Sequence, residues 1–109
     1  LDGDATVSIE PTVRFQKFVG FGGSFTESSA DLLTEMTYET QDRIVDACFH
    51  PERGLNYTMG RMHINSCDFS TGNWACCEAK DDKDLVHFSL RRYEKSLLPF
   101  LRRAGRRGR

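Results

Sequence analysis

Long apolar runs are missing from this sequence: the longest extend only a few residues, so none is long enough to cross a membrane as a helix. A surplus of one charge is missing too. Fifteen Lys and Arg stand against 16 Asp and Glu, a net charge of −1, so no global field recruits nucleic acid or anionic lipid. There is no C-x-x-C pair. The four cysteines are Cys48, Cys67, Cys76 and Cys77, and the adjacent last two lack the two-residue gap of a zinc knuckle. They are left as structural thiols or, in a secreted protein, as one or two disulfides. The chain opens Leu1-Asp2-Gly3-Asp4, without an initiator Met, a basic start or an apolar h-region. That start reads as a cut edge and carries no signal peptide.

What is present is ordinary for a folded protein. Hydrophobic residues at 39% and charged residues at 28% exclude a disordered composition, and 109 residues make one domain or part of a larger one. Residues 5 to 19 alternate in the manner of strands, interrupted by Pro11, and end at Gly20-Phe21-Gly22-Gly23, where backbone must turn or approach something closely. Ser24-Phe25-Thr26-Glu27 has the S-x-x-E form of a capping box and predicts a helix from about Thr26 to Met36. Thr37 is placed to cap a second helix, Glu39 to Phe49, which His50-Pro51 stops. Leu55 to Asn65 reads as a strand that turns polar in its second half. Residues 66 to 89 form a long connection, and Tyr93 to Leu101 sketch a last helix with Pro99 in its first turn.

The order is β-α-β-α, the signature of a parallel sheet covered by helices. Polar residues gather at the C-terminal end of strand 55–65, the end at which parallel α/β folds collect their binding groups. A parallel barrel needs eight strands and about 250 residues. Two barrel strands with open edges bury too little to stand alone, so the sequence is expected to be an incomplete domain.

Three blocks carry a resemblance. Val19-Gly20-Phe21-Gly22-Gly23-Ser24-Phe25-Thr26-Glu27 resembles the G-F-G-G-[AS]-x-T-[DE] segment that opens the barrel of glycoside hydrolase family 30. Gly60-Arg61-Met62-His63-Ile64-Asn65-Ser66-Cys67-Asp68-Phe69-Ser70 resembles that family's R-x-x-x-x-S-x-D-F-S segment, in the form found in glucosylceramidases and their β-glucosidase and β-xylosidase relatives. Phe88-Ser89-Leu90 and Pro99 are similar to the stretch ahead of the second barrel helix. G-F-G-G alone is a weak signal, but the blocks at this spacing are a strong one.

The resemblance implies an α/β fold: the N-terminal part of a (β/α)8 TIM barrel, with leading strands of a side β-domain at 1–17. The first two β/α units would occupy 18–104, and a basic tail at 105–109 would lie outside the family pattern. It implies retaining hydrolysis of glucosylceramide, or of a β-glucoside or β-xyloside as in the family's other members, with water as second substrate and no cofactor or metal; a non-catalytic sugar-binding remnant that keeps Asp68 and Trp74 is the alternative. Transient contact with a membrane surface is implied where the substrate is a lipid, and a lysosomal or secreted setting follows from the family only. Such enzymes use two glutamates about 5–5.5 Å apart. No residue here matches either, so no catalytic residue is assigned.

Asp68 matches the family aspartate that accepts hydrogen bonds from sugar hydroxyls, against the plainer reading of a turn aspartate capped with Ser70. Arg61 matches a strand arginine held beneath the catalytic carboxylates, against a side chain snorkelling at the strand edge. His63 stands where many members carry proline or threonine and reads as a wall residue. Asn65 is grouped with these two as support. Phe69 and Trp74 lie on the loop beyond, and Trp74 is placed either to stack on a sugar or to anchor the loop. Glu27 is explained by capping and Glu78 by a charged loop. The Arg/Gly tail lacks the interleaved aromatics of a nucleic-acid binder, and no nucleic-acid partner is expected.

Overall fold

The structure is a computed structural model that describes residues 3–108; Leu1 and Asp2 of the leading segment and Arg109 of the basic tail lie outside the described residues. Its elements run β1 (Gly22–Phe25), α1 (Glu27–Thr34), α2 (Tyr38–Phe49), β2 (Met59–Met62), α3 (Arg91–Lys95) and α4 (Leu97–Arg107). The two strands pair in parallel, with Gly22 opposite Met59 and Phe25 opposite Met62. Parallel strands need a crossover, and α1 and α2 supply it.

The strand positions differ from expectation. The alternation at 5–19 forms no ladder among the described residues, and Val7, Ile9 and Phe15 are more than four-fifths exposed. A strand exists only where a second one accepts its hydrogen bonds. At Pro11 the chain makes a turn, closed by the Val13 amide on the Glu10 carbonyl (3.2 Å). The first paired strand lies instead in the glycine-rich segment, and close approach explains why. A Cβ on Gly22 would sit 1.9 Å from the carbonyl oxygen of Met59, and one on Gly60 would sit 2.2 Å from the ring of Phe25. Glycine there lets backbone and ring occupy space a side chain would take. Strand β2 is also shorter than the expected 55–65.

Helix α1 begins at Thr26, whose hydroxyl accepts from the Ser29 amide (3.3 Å). The predicted capping box from Ser24 does not form, because Ser24 is taken into β1 and Glu27 turns inward. Helix α2 is capped by Thr37 as the sequence predicts, its hydroxyl accepting from the Thr40 amide (3.3 Å). The single helix expected at 93–101 is two. Ser96 breaks it at φ −142°, ψ −44°, and its buried hydroxyl donates to Asp31 Oδ1 (2.6 Å). Pro99 does sit in the first turn of α4, which then runs on through residues 105–107 of the basic tail.

The helices pack against one side of the strand pair. Phe25, Ala30, Val45, Phe49, Leu97 and Ala104 form the centre of the core, and Phe25 stacks on Phe49 with ring centroids 5.6 Å apart. The edge of Phe100 closes on Phe25 at 4.8 Å. The radius of gyration is 19.9 Å, against about 13 Å for a compact domain of this length. Residues 3–21 contribute no element and are nearly all exposed.

Candidate functional site

Side chains leaving a parallel pair at its C-terminal edge converge, because both strands end on the same side. Strand β1 delivers Ser24 and Phe25 there, and Thr26, the cap of α1, follows one residue beyond the strand. From β2 come Arg61 and, one residue beyond the strand, His63. The following loop returns to the same place with Cys67, Asp68 and Phe69, and these eight residues line a cavity of about 170 Å³. Four of the six residues singled out in the sequence therefore meet in one place: Arg61, His63, Asp68 and Phe69.

Asp68 and Phe69 are exposed at the cavity, and so is Arg61, which makes no ion pair among the described residues. A carboxylate, a guanidinium and two hydroxyls around one small opening offer acceptors and donors suited to a polyhydroxylated ligand. His63 forms part of the wall. Its Nδ1 contacts the Asn65 carbonyl oxygen, so in the neutral ring Nδ1 carries the proton and Nε2 is a bare acceptor. That Nε2 is buried and has no hydrogen-bond partner.

Asn65 and Trp74 sit apart from the cavity lining. Asn65 adopts a left-handed backbone (φ 63°). Its amide donates to Tyr93 Oη (2.7 Å) and its side-chain Oδ1 accepts from the Cys76 amide (2.9 Å), so the residue fastens the loop to α3. Trp74 is only 9% exposed. Its indole donates to Glu27 Oε2 (3.0 Å), Tyr93 packs edge-on at 5.0 Å, and the Arg92 guanidinium lies 4.9 Å from the ring centroid. Trp74 is thus packed between Glu27, Tyr93 and Arg92 and lies outside the lining of this cavity.

Glu27, read from the sequence as a capping residue, instead reaches across the fold. It is 6% exposed at the start of α1. Oε1 accepts from Arg92 Nε (2.6 Å), while Oε2 accepts from the Trp74 indole and, at 3.4 Å, from the Thr71 amide. Burial alone would raise its pKa. The bonds from Arg92, Trp74 and Ser70 outweigh that and hold it at about 2. Glu27 is thus ionised throughout the neutral range and unsuited to donate a proton as a general acid. No local signal could have found this role, since an acid in a first helical turn looks the same whether it caps or reaches across the fold. Glu78 does local work, accepting from the Ala75 amide (3.3 Å).

Among the described residues no group of His, Cys, Asp and Glu is arranged to hold a metal ion. All four cysteines are free: Cys67 lines the cavity, and Cys77 donates to Asp82 Oδ2 (3.3 Å). No helix among the described residues is long and apolar enough to cross a membrane.

The family model described as the glycosyl hydrolase family 30 TIM-barrel domain matches residues 18–108, a span that includes residues 105–108 of the basic tail. The chain is 39% identical over 102 residues to "Putative glucosylceramidase 3" of Caenorhabditis elegans, covering 93% of this chain and 19% of that protein. It is 29% identical over 99 residues to the lysosomal acid glucosylceramidase of Mus musculus, covering 90% of this chain and 19% of that one. Among solved structures, SrfJ from Salmonella typhimurium superposes with a TM-score of 0.77 at 37% identity, over 84% of this chain and 20% of SrfJ. The chain thus spans about a fifth of the length of the relatives it matches.

Proposed function

This chain belongs to glycosyl hydrolase family 30, and on that premise we propose that it supplies the opening β/α units of the barrel of a retaining β-glycosidase. In this reading residues 18–104 are the first two units, and residues 1–17 lend strands to a side β-domain whose partner strands come from elsewhere in the protein. Exposed apolar side chains at Val7, Ile9, Val13 and Phe15, in a segment that joins no strand ladder among the described residues, support the need for such partners. The observation that carries the proposal is the convergence of Arg61, His63, Asp68 and Phe69 on one cavity at the C-terminal edge of β1 and β2.

Asp68 holds hydroxyls of the glycone there. An ionised carboxylate accepts two directed hydrogen bonds and so distinguishes hydroxyl positions. Arg61 faces the reacting end of the sugar, where it stabilises carboxylates that lie outside these residues. Those carboxylates are the acid/base and nucleophile glutamates of a double displacement: one protonates the leaving oxygen and the other attacks the anomeric carbon, and water then releases the sugar. The names of the relatives favour glucosylceramide as substrate, with a β-glucoside or β-xyloside of the same configuration as the alternative. A lipid substrate brings transient contact with a membrane surface, and the mouse relative's name favours a lysosomal setting over a secreted one.

The test is a chimera in which residues 18–104 replace the matching segment of the C. elegans relative. It is expected to release fluorophore from an aryl β-glucoside. Asp68→Ala should then lower kcat/KM roughly 10- to 100-fold, the worth of a charged hydrogen bond. A folded, active chimera indifferent to Asp68→Ala would sink the assignment. The 109-residue chain alone is expected to show no turnover, and turnover there would place the chemistry among its own carboxylates.

A further inference from the structure

Asp68 reaches the cavity from a loop, and a loop needs something rigid to hold its shape. The residues just after Asp68 are gripped by the first turn of α1. Both the amide and the hydroxyl of Ser28 donate to the Phe69 carbonyl, at 2.9 and 2.6 Å. Two and five residues further on, the Thr71 amide and the Trp74 indole both donate to Glu27 Oε2. Arg92, bonded to Glu27 Oε1, also donates to the Thr71 hydroxyl (3.1 Å). Across 69–74 the loop thus meets two consecutive residues of one helix and one arginine of α3. The other end of the loop is tied separately, through Asn65 on Tyr93 and Cys76.

We infer that Glu27, assisted by Ser28, is a positioning residue that holds the 69–74 loop so that Asp68 is presented to the cavity. The Glu27 carboxylate makes no hydrogen bond to a cavity-lining side chain; its action runs through Thr71 and Trp74, and that of Ser28 through the Phe69 carbonyl. The geometry favours this over a purely stabilising role because its acceptor oxygens are spent on the loop and on the arginine that also holds it. A carboxylate is needed rather than an amide: a glutamine in the same place keeps one acceptor oxygen, and its NH2 group sets donor against donor either at Arg92 or at the Trp74 indole and Thr71 amide. The inference rests on the glycone reading of Asp68 only for its consequence in binding; the grip on the loop stands by itself.

Hydrogen exchange on the full-length chimera that carries residues 18–104 separates the two. In the wild-type protein the Ser28 and Thr71 amides are expected to exchange slowly, and methyl β-glucoside is expected to slow exchange further at Cys67–Phe69. In Glu27→Gln the Thr71 amide should exchange at least roughly tenfold faster, and the glucoside needed for protection should rise on the order of tenfold, while protection within α2 and α4 is unchanged. Ser28→Ala, which keeps the amide bond to Phe69, should act in the same direction and more weakly. An unprotected Thr71 amide in the wild type would overturn the proposal. So would a Glu27→Gln effect spread equally over α2 and α4, or one that leaves the loop unmoved. If the loop loosens as expected but the glucoside protects neither protein, the positioning role holds and the glycone reading of Asp68 fails.

Discussion

Among the charge clusters that tie helices together, those at Glu27 and at Asp42 differ in how much water they keep. At the first, Glu27 on α1 meets Arg92 on α3, with the glutamate side chain 8% exposed and the arginine 39%. At the second, Asp42 on α2 meets Arg103 and Arg107 on α4 at 2.9 and 3.0 Å, and its side chain stays 38% exposed. Arg103 also lies over the Tyr38 ring, 4.1 Å from its centroid. Both carboxyls are held below their ordinary pKa: Glu27 against its burial by Arg92, Trp74 and Ser70, Asp42 chiefly by hydrogen bonds from Arg107 and Arg103. The distances are similar, yet the two clusters are not equivalent. Solvent and salt screen the Asp42 cluster, whereas Glu27 works where screening is weak and where neutral donors of the backbone and of Trp74 also depend on it.

Truncation should separate them most. Glu27→Ala leaves the Trp74 indole and the Thr71 amide without their acceptor, and unfolding in urea followed by Trp74 fluorescence should show a loss of about 2–3 kcal/mol. A loss no larger than that of Asp42→Ala would erase the distinction. Acid should act next. The pKa of Glu27 is depressed from 4.5 to about 2, so its contribution is complete above pH 4.5 and is lost as pH falls toward 2. A shift of that size corresponds to about 3 kcal/mol. The same pH series in Glu27→Gln should lack this component, and an unchanged acid limb in that variant would assign the loss to other carboxyls. The smallest effect is expected at the exposed cluster. Asp42→Asn should lower stability by only a small part of the Glu27→Ala loss, and about 1 M salt should remove the difference between variant and parent. A salt-insensitive loss at Asp42 would show that α2 and α4 are joined by more than screened charge.

The contrast also marks how far the sequence could be read. Helix α2 and its Thr37 cap were legible because a cap and its amide lie three residues apart and the apolar face repeats with the helix. The parallel pairing followed from the β-α-β order, and Arg61, His63, Asp68 and Phe69, four of the eight cavity residues, were picked out by the Arg61–Ser70 block together with the rule that binding groups leave at the C-terminal edge of strands. Strand limits were not legible. The alternation at 5–19 looked like strand but found no partner, while the glycines that looked like a turn became β1 because a neighbouring backbone passes too close for any side chain. Trp74 could be narrowed to platform or anchor and no further, since an indole suits either.

By itself, then, the sequence determined the α/β element order, the capped α2 and the segments that identify the family. These depend on spacing along the chain and on which side chains recur at a helical or strand period. The tertiary structure alone decided that Ser24 joins a strand, that Trp74 is covered, and that Arg103 and Arg107 of a basic tail-like run are structural partners of Asp42. It also decided that Glu27 serves the loop that carries Asp68. The partners of Glu27 lie 44, 47 and 65 residues away. A side chain's hydrogen bonds are set by what folding brings within about 3 Å of it, and no local pattern encodes contacts at those separations.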